Sequence, residues 1–377
     1  MNKPLHYDVA IAGGGLVGAS SALALAKAGL RVGLFERRFC GAQASGVNYG
    51  GVRCQGRPAE QMPLAMRARR VWDRLPELIG IDGEFVVSGH LRLARKESDL
   101  AALERWAQMA REHGLEAQLL GGETFRRRYP WLGTAAIGGS LCASDGHANP
   151  RLVSPAFARA ARAAGADIRE QTELSEISHD GTRFQLRAGE LHFTSDWLIN
   201  SAGAWANRIA ASFGETVPMK PIYPNMWVTE PLPLFITHNL GVYGGGVYAR
   251  QVARGNCVVG GGRGQGDGEY GQPSTDTTRA VMRDACALLP ALRGALLIRT
   301  WSGVEGETPD NNPVIGASRA VPRLLHAFGF SGGGFLLAPG VGEVLADLVV
   351  HGSTATPLEA FAIDRFATVS TPSLHAL

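Results

Sequence analysis

Four glycines between positions 13 and 18 (Gly13, Gly14, Gly15 and Gly18) constrain this chain more than any other feature. They follow an apolar run, Val9 to Ala12, and precede a stretch whose apolar residues recur at helical spacing (Leu16, Ala19, Leu23, Ala26). Gly29 and a second apolar run, Val32 to Phe35, come next, so the order is strand, tight turn, helix, strand. Gly13, Gly15 and Gly18 match the fingerprint of a dinucleotide-binding turn. The first permits the turn, the second lets the backbone approach a pyrophosphate, and the third lets the helix lie against the strand. Glu36, followed by Arg37, closes the second strand 21 residues beyond Gly15, where a carboxylate accepts hydrogen bonds from an adenosine ribose.

The remainder of the 377 residues is 45% apolar, enough to fill a core for two domains or for one large domain with an insertion. A net charge of +3, with Lys and Arg scattered apart from Arg126 to Arg128, excludes a nucleic-acid surface. The N-terminus lacks the basic, apolar and small-residue segments of a secretory leader, and no apolar run approaches the roughly 20 residues of a spanning helix. A cytoplasmic location is the expectation. Cys40, Cys54, Cys142, Cys257 and Cys286 are odd in number with no C-x-x-C pair, so reduced thiols are expected rather than disulfides or a metal cage.

After Glu36 the segment Gly41 to Gly56 reads as too irregular for helix or strand and too long for a simple turn. Its small residues, Gly50 and Gly51 among them, allow close approach to a flat ligand, and Ser45, Asn48, Arg53 and Arg57 can hydrogen-bond one. The periodicity then predicts helices over 58–80, 98–113, 123–129 and 150–164, and strands over 85–94, 138–142 and 167–177, with a turn at 145–147 and a hairpin over 182–193. Trp197 to Ser201 reads as a buried strand. From Val217 to Ile298 strands bearing Tyr223, Trp227, Tyr243 and Tyr248 alternate with glycine clusters around one helix, 277–289, which predicts an antiparallel sheet with a helical cover. A strand at 324–328 and a helix at 335–350 return to the first style, and the tail after Gly352 is expected to be partly disordered. The predicted division is a discontinuous nucleotide domain, 1–85, 143–216 and 300–365, with a substrate domain formed by 86–142 and 217–299.

Four segments together resemble the flavin-dependent amine oxidoreductases of the D-amino-acid oxidase type, which include glycine oxidase, sarcosine oxidases and opine oxidase subunits. They are GGGLVG with Glu36, WLINSAGAW (197–205), RTWSGVEGETPDNNPVIG (299–316) and FGFSGGGFLLAPGVGEVLADL (328–348). The T-P-D-x-x-P-x-I-G run and the G-F-S-G turn are the most specific. The resemblance implies an α/β fold, α+β overall, in which a Rossmann-like FAD-binding domain carries an inserted antiparallel-sheet substrate domain. It implies that Asn200, Ala202, Gly203 and Trp205 cover the adenine and pyrophosphate portions of FAD. It also places Ser331, Gly332, Gly333, Gly334 and Phe335 against the flavin ring, with the N-terminus of the last helix, Pro339 in its first turn, aimed at the edge that becomes negative on reduction.

The chain also departs from the pattern. Gly303 stands where covalently flavinylated relatives carry cysteine, so a non-covalent cofactor is implied. Glu305 stands where glycine-oxidase-like members carry an arginine for the substrate carboxylate. Three readings follow: the carboxylate is held elsewhere, the substrate presents a cation to Glu305, or Glu305 faces solvent. Gly333 replaces a histidine of many relatives, which puts a fast reaction with oxygen in doubt. Tyr248 and Arg250, on one face of a predicted strand, are the preferred substrate anchor; Arg53, Arg263 and Tyr223 are further candidates, His90 is a weaker one, and Trp301 is placed beside the flavin. The implied reaction is oxidation of the C–N bond of an amino acid or N-substituted amino acid (a D-amino acid, a sarcosine-like compound or an opine) by hydride transfer to flavin N5, by a dehydrogenase rather than an oxidase. Its electron acceptor would be a protein, a quinone or oxygen. An FAD-dependent 2-hydroxy acid dehydrogenase and a flavin-carrying subunit of a multi-subunit amine or opine dehydrogenase remain open, and no metal is implied.

Overall fold

The computed structural model describes residues 4–367. The first sheet is built around the strand Leu5–Ala12, whose interior residues Val9, Ala10 and Ile11 are fully buried. It pairs in parallel with Val32–Phe35 on one side and with the ten-residue strand Leu191–Asn200 on the other. Asp167–Arg169 extends the sheet beyond Val32–Phe35, and Leu324–Phe328 beyond Leu191–Asn200, both in parallel. Val314–Ala317 closes that edge antiparallel. Apolar runs rather than alternating patterns are expected here, because helices cover a parallel sheet.

Those helices cross at very short range. A side chain on Gly342 of the helix Gly334–His351 would strike Ser20 of the helix Leu16–Lys27, and one on Gly340 would come within 2.8 Å of Ala68 of the helix Met62–Asp73. Ser20 Oγ donates to the Ala338 carbonyl (2.9 Å) and Trp72 Nε1 to that of Leu336 (3.0 Å), so buried polar atoms near Pro339 are satisfied across helices. Pro339 itself lies in the second turn of its helix, close to the N-terminal position expected. That helix is long and apolar enough to cross a membrane by composition, but more than half of it is buried in this core.

The second sheet has eight strands, in the order Leu297–Ser302, Pro224–Pro231, Asn256–Arg263, Tyr248–Gln251, Asn239–Val242, His90–Ala94, Gly138–Cys142 and Gln118–Gly121. All neighbours are antiparallel except Asn239–Val242 with His90–Ala94. Helix Thr275–Leu288, capped by Ser274 Oγ on the Thr277 N–H (3.2 Å), covers one face.

Several local expectations need correction. The segment 41–56 contains one helical turn, Ala44–Val47, and a short strand, Gly51–Val52, paired with Gly146–His147 where a plain turn was expected. The helix expected over 58–80 breaks at Arg74 into Met62–Asp73 and Leu75–Ile79, because Pro76 cannot continue the hydrogen-bond ladder. Residues 85–89 are not strand. Beyond Gly352 the chain stays ordered through 3-10 turns to Phe366, with Phe361 fully buried; the end of the tail falls outside the described residues.

Candidate active site

The glycine turn is shaped by its own backbone. Gly13 has φ +105°, and a Cβ on Gly18 would lie 2.0 Å from the Gly13 carbonyl oxygen, so no other residue fits there without moving the turn. Gly15 caps the helix Leu16–Lys27 in an extended conformation, and a Cβ added there would meet only Ser45 Oγ, at 3.1 Å. That hydroxyl accepts from the Leu16 N–H (2.8 Å). Glu36 Oε2 accepts from the Gly14 N–H and Oε1 from the Arg38 N–H, both at 2.8 Å, so the acid at the strand end fixes the turn. A helix N-terminus behind a glycine turn is a ready anion site.

A cavity of about 510 Å³ starts at this turn. Gly13, Gly15, Glu36, Arg37, Ser45, Asn48, Gly50, Gly51, Ala202, Gly203 and Trp205 all line it. Gly18 does not, in keeping with a role inside the turn. Asn48 is spent on its own loop, donating to the Ala44 and Ser45 carbonyls and accepting from the Gly50 N–H. Arg37 stacks on the Trp205 ring (4.1 Å to its centre), and Glu269, on a hairpin of the antiparallel half, accepts from Trp205 Nε1 and pairs with Arg37 and Arg208.

At the other end, the two most specific motifs lock together. Thr308 N–H donates to Ser331 Oγ (3.0 Å), and Ser331 holds φ +49°, a costly conformation for a non-glycine residue. Glu305 Oε1 accepts from the Gly332 N–H, and the helix Gly334–His351 starts immediately after, with Gly333 at its N-cap. Gly303, Glu305, Gly332, Gly334 and Phe335 line the cavity. Gly303 is closed off by Val47, whose Cγ2 would lie 2.4 Å from an added Cβ. Gly333 does not line the cavity; a Cβ there would meet Arg57 Nη1 at 2.4 Å, so an arginine fills the space beside it.

Glu305 therefore opens on the cavity, which removes the solvent-facing reading. Burial pushes its carboxyl above the usual range, against the opposing pull of the Gly332 N–H and Arg263. Tyr248 lines the cavity too, in space that Gly260 leaves, since a Cβ on Gly260 would sit 2.2 Å from the ring. Arg250 does not join it. Its Nε donates to the Tyr49 carbonyl (2.9 Å) behind the wall, so the expected Tyr248–Arg250 anchor is not formed. Tyr223 and Trp301 are likewise outside: Tyr223 accepts from the Gly268 N–H and Trp301 Nε1 donates to the Val47 carbonyl. Arg263 lines the cavity while paired with Glu307 (3.0 Å).

The third wall is cationic. Arg53, Arg57 and Arg92 all line it. Burial lowers the affinity of each for its proton; repulsion from Arg53 adds to this at Arg57, held at about 9, and Arg92, held at about 10, whereas the Asp145 carboxylate opposes it at Arg53, so Arg57 and Arg92 remain cations at neutral pH. His90 also lines the cavity and is held far below the usual histidine range by burial and by these arginines. Its Nδ1 meets Gln55 Oε1, whose amide nitrogen donates to Ser140, which makes His90 a neutral structural residue. Arg92 was not among the expected site residues. The signal was present, since period two in the strand His90–Ala94 puts Arg92 on the face of His90.

Comparison with known proteins gives a consistent pattern. Residues 8–348 match the family described as DAO, FAD dependent oxidoreductase. The chain is 28% identical to glycine oxidase of Bacillus licheniformis over 96% of its length and 98% of the relative. It is 27% identical to an opine oxidase subunit of Rhizobium meliloti over 96% and 98% of the two chains. Among solved structures, L-proline dehydrogenase from P. horikoshii superposes with a TM-score of 0.90 at 28% identity, covering 97% of this chain and 99% of that one. The residues present fit FAD: the turn admits only glycine at position 18, a Cβ on Gly15 would project into the cavity, and one cavity joins that turn to the start of the helix Gly334–His351.

Proposed function

We propose, for a chain that belongs to the DAO family of FAD-dependent oxidoreductases, that it oxidises the C–N bond of an amino acid or N-substituted amino acid. The observation that carries this reading is that Glu305, tied to Gly332, lines one cavity together with Arg53 and Arg57. A carboxylate and guanidinium groups lining the same space suit an amine and a carboxylate on one small molecule. When bound, FAD would supply the two-electron acceptor for oxidation of the C–N bond to an imine, which water would then hydrolyse.

The remaining work falls to the protein. The Gly13–Gly18 turn would hold the pyrophosphate and Glu36 the adenosine ribose, with Arg37, Trp205, Ala202 and Gly203 over the nucleotide. The N-terminus of the helix Gly334–His351 would stabilise negative charge at the flavin edge. Glu305 Oε2, which has no hydrogen-bond partner among the described residues, would take the proton of the substrate ammonium and leave the amine neutral. Tyr248 would close the site against water. The cofactor would be non-covalent, since Gly303 offers no thiol. This scheme asks for no further catalytic base.

The dehydrogenase version is favoured because Arg57, not an imidazole, stands beside Gly333. Electrons would then leave through an acceptor protein or quinone, with a partner polypeptide of the kind that the opine oxidase relative, itself named as one subunit, implies. We place the enzyme in the cytoplasm and retain the division 1–85, 143–216 and 300–365 against 86–142 and 217–299 as working boundaries. The test is anaerobic mixing of the yellow protein with amino acids, N-methyl amino acids and 2-hydroxy acids. Bleaching by amines alone supports the reading, and bleaching by hydroxy acids alone overturns it. Peroxide formed in proportion to substrate at rapid turnover would replace the dehydrogenase by an oxidase.

A further inference from the structure

The cationic wall holds more positive charge than one carboxylate needs. Gly56, at φ +79°, brings two of its members together: a Cβ there would lie 2.3 Å from Arg92 Nη1 and 3.5 Å from Arg53 Nη1. Arg57 follows in sequence and turns toward Gly333, donating from Nη2 to its carbonyl (3.1 Å). Among the described residues none of the three forms an ion pair. Arg53 donates to the Gln55 carbonyl, Arg92 lies over the Tyr243 ring, and Arg57 Nε is buried with no partner at all. The nearby Asp145 carboxylate is committed to the Cys54 and Gln55 N–H groups at 2.8 and 2.9 Å.

Arg57 is buried and Arg53 and Arg92 are half-buried, and guanidinium groups so placed without a carboxylate are costly, three together more so. With Asp145 and Glu305 as the acids facing them, the wall keeps one positive charge uncancelled. A zwitterionic amino acid, neutral overall, leaves that charge in place. A molecule with two carboxylates and one ammonium cancels it.

We propose that Arg53, Arg57 and Arg92 form a recognition site for a second substrate carboxylate, so that the preferred substrate is an N-(carboxyalkyl) amino acid, a secondary amine flanked by two carboxylates. This rests on the amine-oxidising reading above. The nitrogen faces Glu305, one carboxylate meets Arg57 beside the turn at Gly332, and the other lies between Arg53 and Arg92, where parallel hydrogen bonds to planar guanidinium groups select a carboxylate over an alkyl group.

The experiment uses two matched pairs on the flavin-loaded protein. The redox-inert pair, diglycolate and methoxyacetate, differs by one carboxylate and is followed by perturbation of the flavin spectrum. The reactive pair, N-(carboxymethyl)alanine and N-methylalanine, is followed by anaerobic bleaching. Diglycolate is expected to bind about 10–100-fold more tightly than methoxyacetate, the range for charge-assisted contacts. The dicarboxylic amine is expected to show a similar advantage in kcat/KM. Arg92→Met and Arg53→Met should each reduce the binding ratio to below about threefold, while Arg92→Lys retains part of it. An unchanged visible spectrum in each variant reports an intact fold. Equal binding of the two ethers, or a ratio that survives in both Met variants, overturns the proposal. If the ethers discriminate and respond to the variants but neither amine bleaches the flavin, the carboxylate site stands and the amine reading falls.

Discussion

Glu305 Oε1 accepts a hydrogen bond from the Gly332 N–H at 2.5 Å, so one side chain both fixes the turn before the last long helix and presents its second oxygen to the cavity. Glu305→Gln keeps an acceptor for Gly332 and removes the charge. The expected outcome is a flavin content like that of the parent and kcat/KM for amines lowered roughly 100-fold, the scale of a lost proton acceptor. Burial raises the Glu305 carboxyl, so in the parent kcat/KM should climb with pH through an ionisation above the ordinary glutamate range. The variant should lose that acid limb, and a limb retained in Glu305→Gln would assign it to another group.

Gly18→Ala tests the turn. Its methyl would stand 2.0 Å from the Gly13 carbonyl, a contact that backbone must relieve. We expect protein that folds with about 1–3 kcal/mol less stability and is recovered nearly colourless. The ratio of visible to ultraviolet absorbance measures this directly, and a fully yellow Gly18→Ala protein would show that the turn does not hold the cofactor.

Arg57 and Arg67 should respond oppositely to removal. Arg67 pairs with Glu343 and Asp347 and reaches Thr354 and Thr356, while Arg57 has no carboxylate partner. Arg67→Met is expected to lower stability by about 1–2 kcal/mol. Arg57→Met should leave the thermal midpoint of substrate-free protein unchanged or raised and weaken substrate binding, as functional groups held at a cost to stability do. Melting curves of the two variants side by side decide the point.

Glu215 provides the clearest pH dependence. Burial pushes its carboxyl up, but hydrogen bonds from the His326 ring, Ser318 and the Arg319 N–H outweigh this and hold it at about 2, below its unfolded value of 4.5. A folded value below the unfolded one means that the contribution is fully present above about 4.5 and is lost as pH falls toward 2. Glu215→Gln should therefore melt earlier than the parent at pH 6, with the gap narrowing steadily below pH 4.5. A gap independent of pH would remove the ionic explanation.

What could be read from the sequence follows the range of the interactions. The turn at Gly13 to Gly18, the helices Leu16–Lys27 and Pro150–Ala163 and the strand Leu324–Phe328 are set by neighbours in the chain, through glycine stereochemistry, periodicity and caps such as Asn149. The family resemblance singled out Glu305, and strand alternation Tyr248, both of which line the cavity. These signals could not show that Arg250 turns away, because that depends on the Tyr49 carbonyl about two hundred positions earlier. Nor could they show that Arg57 fills the space beside Gly333 or that Arg92 lies against Gly56. Those contacts join segments far apart in the chain.

The Glu269 side chain ties two distant parts of the chain together. It reaches from the Gln265–Gln272 hairpin, beside the antiparallel sheet, to Arg37, Trp205 and Arg208 on the nucleotide side. On the proposed placement of the adenosine beneath Arg37 and Trp205, that hairpin would lie across the cofactor as a bolt, which flavin exchange would have to draw back. The bolt is made of partly exposed charges, which salt screens within about 10 Å at moderate ionic strength. Raising the ionic strength is therefore expected to speed release of the cofactor, although the proposed flavin chemistry would take place at the opposite end of the cavity.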